Sequence, residues 1–279
     1  MVSSFIEYAV QEKFLFKWKK LKLYCTFATH HIHQLTFLMT WKQAFTSSIG
    51  RKLIMALSGI FLILFLVVHV GLNACIWNAT GENSDHGQMF NVAAHFMGSM
   101  VIIRILEIGL FVFIFLHAIQ GLMLTVYNKQ KRNTGYKVSL GNRGSKWYSR
   151  SMGLLGTLIL LFLILHWINF WIPSRFTGVN GVDGQPLEFV LPGGEKIHNL
   201  FALMQITFQD HLWIVIVYVL GCISLAYHLL HGFHSAFRTI GVHNPKYMKT
   251  LNAIGYAFSI IVPLAFAMMP ISFYLGWVH

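Results

Sequence analysis

Six histidines stand inside long apolar stretches of this chain: His69, His117, His166, and the set His228, His231 and His234. An imidazole in hydrocarbon is costly without a partner, so a histidine within a membrane span points to function. Three chemistries fit such a placement: metal ligation, proton relay, or a hydrogen bond that ties helices together. The cysteines do not extend the set, because Cys25, Cys75 and Cys222 are far apart and match no CxxC or zinc spacing.

The elements that must position these histidines follow from composition. The chain has 279 residues, 56% hydrophobic and only 11% charged, with 24 Phe and 8 Trp, which excludes an ordinary soluble domain. A helix needs about 20 apolar residues to cross a bilayer. Five such runs are present, at about 53–74, 97–127, 152–172, 211–237 and 251–277, separated by polar or Gly-rich connections such as 78–88 and 178–196. The expected fold is an all-α integral membrane protein, a bundle of five transmembrane helices over 41–279. Residues 1–40 form a basic extension, interfacial or disordered, in which His30, His31 and His33 are read as solvated, and Met39 offers a second possible start.

Positive residues near helix ends stay on the cytoplasmic side. Lys and Arg crowd the segment before the first run (Lys42, Arg51, Lys52) and the connection after the second (Lys129, Lys131, Arg132, Lys137, Arg143, Lys146, Arg150). The first connection holds Glu82 and Asp85 and no basic residue, and the third is acidic on balance. This bias sets the N-terminus inside and the C-terminus outside. It also explains the net charge of +12 as attraction to lipid headgroups, not nucleic acid.

Depth pairs the histidines. His69 lies sixteen residues into the first span and His166 fourteen into the third, both running outward, so at about 1.5 Å per residue they share an outer depth. His117 and His228 lie about ten and nine residues before the inner ends of the second and fourth spans. Two histidines from facing helices suit the axial positions of a haem iron better than a zinc site. Gly121 and Gly232 follow the inner pair by four residues, leaving a bare patch where a flat macrocycle edge can approach. Structural hydrogen bonding remains the alternative for any one of these residues, and His231 remains an alternative to His228.

The chain also resembles a known family, the cytochrome b subunit of succinate:quinone oxidoreductases (succinate dehydrogenase and fumarate reductase), in its single-chain, five-helix, di-haem form. The resemblance rests on Ser47-Ser-Ile-Gly-Arg-Lys52, Ser58-Gly59, His69 with Asn73, His117-Ala-Ile-Gln-Gly121, His166-Trp-Ile-Asn169 and Tyr227-His-Leu-Leu-His-Gly232, and covers about Thr40 to His279. It implies two haems b as cofactors, the outer held by His69 and His166 and the inner by His117 and His228. It further implies a flavoprotein partner where succinate and fumarate interconvert, an iron-sulfur partner on the cytoplasmic face, and a place in the bacterial cytoplasmic membrane. This chain lacks a GxGxxG fingerprint and a cysteine cluster, so flavin and iron-sulfur chemistry belong to those partners.

A membrane electron carrier must meet quinone, menaquinone being the expected one, at a polar pocket near headgroup depth. At the inner end of the first span the candidates are Ser47, Ser48, Arg51 and Lys52, where the resemblance places a quinone-site serine and arginine; Arg51 and Lys52 read equally well as topology anchors. At the outer end of the second span they are His95, Arg104 and Glu107. Arg104 and Glu107 are three apart, so they either pair or serve a haem propionate and a quinone proton. The rival functions are the cytochrome b subunit of a hydrogenase or formate dehydrogenase and, in a different class, a small proton-coupled transporter. Against the transporter, Pro263 and Pro270 interrupt the fifth span alone.

Overall fold

A computed structural model describes residues 47–82, 84–131, 146–191, 193–242 and 244–279. The extension expected over 1–40, including His30, His31 and His33, lies outside the described residues, as do Lys42, Lys137, Arg143 and His243. Backbone proximity divides the chain into Met1–Gly50 and Arg51–His279. In the first unit, Ser47 accepts the Gly50 N–H on its hydroxyl at 3.0 Å, the geometry of a serine helix cap.

The helices are α1 (Ser48–Asn73), α2 (Gln88–Ser99), α3 (Val101–Gln130), a short α4 (Trp147–Arg150), α5 (Met152–His166), α6 (Leu200–Gln209), α7 (Leu212–Thr239) and α8 (Pro245–Tyr274). Strands β1 (Glu188–Val190) and β2 (Lys196–His198) form an antiparallel hairpin with Phe189 opposite Ile197. Five helical segments are long and apolar enough to cross a membrane: α1 continued to Asn78, α3, α5 continued to Thr177, α7 and α8. α3 and α5 expose Val101, Ile105, Ile108, Val112, Phe115, Leu158 and Leu161 on their outer faces. An apolar surface that continuous suits lipid, not water. By length and composition, these five helices have what a multi-pass membrane protein requires.

The first and fifth spans start earlier than expected, at Ser48 and Pro245, and two others differ in how the chain is wound. The second was expected from 97, yet the chain breaks at Met100, which is extended (φ −76°, ψ 128°) between α2 and α3. α2 is held elsewhere: Asn91, 1% exposed, donates to Asn199 Oδ1 at 2.9 Å and accepts the Phe201 N–H at 3.1 Å. Those bonds fix α2 against the start of α6, so it does not continue the axis of α3. The third span was expected to end at 172 but winds on to Thr177 in wider π turns. Pro173 has no N–H to give the carbonyl four residues back, and π winding absorbs that loss.

The connection at 178–196 was read as loop, but β1 lies within it and β2 begins at its end and runs to His198; the apolar α6 beyond was not foreseen. Together with α2 and the C-terminus these elements close one end of the bundle, the hairpin end. Ile76, Phe90, Phe201, Phe208, Tyr218 and Phe273 form a buried cluster beneath them. The last residue is stitched in, since His279 N–H donates to the Ala79 carbonyl at 3.2 Å and Ser84 Oγ donates to the His279 carbonyl at 3.1 Å. The opposite, basic end carries Lys52, Lys129, Lys131, Arg150, Lys246 and Lys249.

Within the bundle, glycine sets the closest approaches. A Cβ on Gly221 of α7 would lie 2.7 Å from the Phe162 ring of α5, and one on Gly255 of α8 would lie 2.7 Å from the Phe233 ring of α7. Without a hydrophobic drive between spans in lipid, such close contact is what joins them.

Candidate functional site: two pairs of histidines

α1 and α5 bring His69 and His166 together toward the hairpin end, their ring centres 5.8 Å apart and their planes at 82°. α3 and α7 bring His117 and His228 together toward the basic end, 6.0 Å apart and at 62°. These are the pairings that counting residues into each span suggested. Two imidazoles on opposite sides of one iron have ring centres about 6 Å apart, because each metal–N bond is about 2 Å and the ring centre lies about 1 Å beyond the nitrogen. Both separations match that requirement.

The surroundings fit a haem in three further respects. First, Nδ1 of His166 and Nδ1 of His228 are buried without a hydrogen-bond partner, so these rings are not explained as interhelical hydrogen bonds through that atom. Second, glycines flank the basic-end pair: Cβ atoms on Gly59 and Gly156 would meet His117 at 3.4 Å and His228 at 3.7 Å. A side chain there would take the space beside each ring. Third, aromatic faces surround the hairpin-end pair, with Phe65 and Phe266 at 5.1 and 5.3 Å from His69 and Phe162 and Phe170 at 5.8 and 5.5 Å from His166. Among the described residues no three His, Cys, Asp or Glu side chains gather as a metal cage. A two-imidazole donor set suits an iron whose other ligands come from a macrocycle.

Gly121 and Gly232 behave differently from the other two glycines. The space over Gly121 is met by the Met55 methyl at 3.1 Å, and that over Gly232 by the ring of His228 itself at 3.9 Å. The glycines on the facing helices, Gly59 and Gly156, are the ones that approach the partner rings. His231, the alternative to His228, is engaged elsewhere, its Nδ1 lying 2.8 Å from Ser149 Oγ of α4. His234 lies 5.0 Å from the Tyr256 ring, with both ring nitrogens buried and unpartnered.

The polar candidates fall apart into separate places. Ser47 and Ser48 are at the start of α1, where Ser47 caps the helix. Arg51 stacks its guanidinium over Tyr127 at 4.7 Å and keeps a buried Nε without a partner, while Lys52 is exposed. His95, on α2, faces Glu195 beside the hairpin at 3.7 Å. Arg104 reaches Glu107 only at 3.5 Å, whereas Glu107 Oε1 accepts the Trp171 indole N–H at 2.6 Å and the Arg175 Nε–H at 3.0 Å. Trp171 and Arg175 were not singled out from the sequence. They are four residues apart on the π-wound end of α5, and that spacing, together with a Glu107 inside an apolar run, was the available signal.

Five apolar helices long enough to cross a membrane enclose two histidine pairs, one toward each end of the bundle. Comparison of the chain with protein-family models, curated proteins and solved structures returns no match.

Proposed function

We propose that the chain is the membrane-anchor cytochrome b subunit of a succinate:quinone oxidoreductase, with haem b between His69 and His166 and between His117 and His228. The observation that carries this reading is the pairing itself: two sets of half-buried imidazoles, one toward each end of the bundle, with ring centres 5.8 and 6.0 Å apart, close to the about 6 Å that two imidazoles on one iron require. Held there by these four histidines, the haems would supply one-electron transfer between an iron-sulfur partner and membrane quinone.

The residues of this chain do the rest. The four histidines, one per helix on α1, α3, α5 and α7, hold their rings from rigid elements whose separation the small and aromatic side chains set. Ser58 orients His117 from its second nitrogen, and Asn73 sits beside His69 with its amide nitrogen bonded to the His69 carbonyl. The basic end faces the cytoplasm in this reading, where Arg51 and Lys52 meet the iron-sulfur partner. Quinone meets the chain at a membrane face, and menaquinone is the expected form.

In membranes containing the whole complex, succinate is expected to reduce haem b and fumarate to reoxidise it. A flavoprotein and an iron-sulfur chain are expected to copurify with this one. Reduction by hydrogen or formate and not by succinate would place the chain in another oxidoreductase; copurification with neither partner and no reducible haem would remove the reading.

A further inference from the structure

Ser58 is 1% exposed, a hydroxyl buried on an otherwise apolar helix. Its oxygen lies 2.8 Å from the Ile54 carbonyl, 3.2 Å from the Met55 carbonyl and 3.1 Å from Nδ1 of His117. A serine hydroxyl has one proton to give. Carbonyl oxygens only accept, so that proton belongs to the preceding turn of α1, where the contact to Ile54 is the shorter. What Oγ turns toward His117 is then a lone pair. The proton in that third contact must come from Nδ1, which leaves Nε2 of His117 bare.

We propose that Ser58 is a positioning residue that fixes His117 as its Nδ1–H tautomer with Nε2 free to ligate, and that only one of the two histidine pairs is controlled in this way. The inference rests on the haem reading for its redox consequence, but the tautomer itself follows from the hydrogen bonds of the chain. The other pair is arranged differently. Asn73 brings an amide nitrogen, not an oxygen, to 3.3 Å from Nδ1 of His69, and its shorter bond, 2.8 Å, goes to the His69 carbonyl. An N–H donor there favours a bare Nδ1, the opposite of what Ser58 enforces. His166 and His228 have no partner at Nδ1.

An imidazole that donates Nδ1–H to an oxygen acceptor is a more basic ligand through Nε2. A more basic ligand favours oxidised iron. Removing the Ser58 hydroxyl therefore weakens that preference at one site and leaves the other alone.

The test uses the full chain. With haem bound, S58A is expected to raise the midpoint potential of one haem by the equivalent of a tenfold change in relative affinity for the two oxidation states, about 59 mV for a one-electron couple. The low-spin EPR signal of that haem moves with it, and the second haem stays at its wild-type potential. S58T, which keeps the hydroxyl and the bond to the preceding turn, is expected to restore both. Unchanged potentials in S58A, equal shifts in both haems, or S58T behaving as S58A would overturn the proposal.

If S58A does not retain haem, the haem-free chain decides through 15N spectra of His117. Nδ1–H in the wild type and its loss in S58A are expected, and a wild-type His117 protonated on Nε2 overturns the proposal. A wild-type chain that binds no haem, with His117 still in the Nδ1–H form, sinks the haem reading and leaves the tautomer assignment standing.

Discussion

Trp171 donates its indole N–H to Glu107 Oε1 at 2.6 Å, joining the π-wound end of α5 to the hairpin-end half of α3. Arg175 shares that oxygen at 3.0 Å, so the side chain of Glu107 is held from α5 more than from its own helix. Hydrogen bonds to a charged group contribute about 1.5–3 kcal/mol each. W171F is expected to lower stability in detergent by about that amount. E107A, which removes the acceptor of both Trp171 and Arg175 in a partly exposed pair, is expected to cost more than W171F alone, through loss of both hydrogen bonds. R104A, whose side chain is half exposed, is expected to cost within about 0.5 kcal/mol. Thermal unfolding of the three variants ranks them, and a larger loss in R104A than in W171F would contradict this assignment.

The close approaches of α7 make a second expectation. A Cβ on Gly221 would sit 2.7 Å from Phe162, against ring atoms that are themselves packed beside His166 and Tyr218. Overpacking of this kind costs about 1–3 kcal/mol. Gly109 of α3 has nothing within 4 Å of the same position. G221A is therefore expected to destabilise and G109A to be neutral or slightly stabilising, by up to about 1 kcal/mol of helix propensity. Equal melting temperatures for the two would show that the α5–α7 contact yields freely.

The spans and the depth of the four histidines were legible because both depend on local features: apolar runs, and a count of residues from each end at a fixed helical rise. His69 with His166 and His117 with His228 meet as that count required. The partner of Glu107 was not legible. Arg104 is its neighbour in sequence, but Trp171 and Arg175 reach it only because α5 changes to π winding before Pro173. Nothing in an apolar run announces that change of pitch. Likewise the last residues of α2, 97–99, read as the start of the second span, whereas Asn91 ties α2 to Asn199, a pairing across 108 residues.

Asp85 gives an expectation for pH outside the spans. Partial burial pushes its carboxyl toward the neutral form, but the Asn78 side chain and the backbone N–H groups of Met89 and Gly87 outweigh this and hold it below its ordinary value of 3.8. A group depressed in the folded state contributes stability above its unfolded pKa. That contribution is lost as pH falls below 3.8 and through the lower folded value. Amide exchange at the start of α2 is expected to quicken over that acid range in the wild type and to show no such step in D85N. D85A is expected to loosen α2 at neutral pH by about 1 kcal/mol, the usual loss of a helix cap. An acid step that persists in D85N would assign it to another group.

The central claim is that the chain holds two haems, one between each pair of histidines. Pyridine haemochrome analysis of the purified full-length chain, against variants with each histidine changed to alanine, tests it most directly. Two haems b per chain are expected in the wild type, with one lost in either H69A or H166A, the other lost in either H117A or H228A, and both retained in H231A. A wild-type chain without haem, or loss of haem in H231A but not in H228A, would contradict the account.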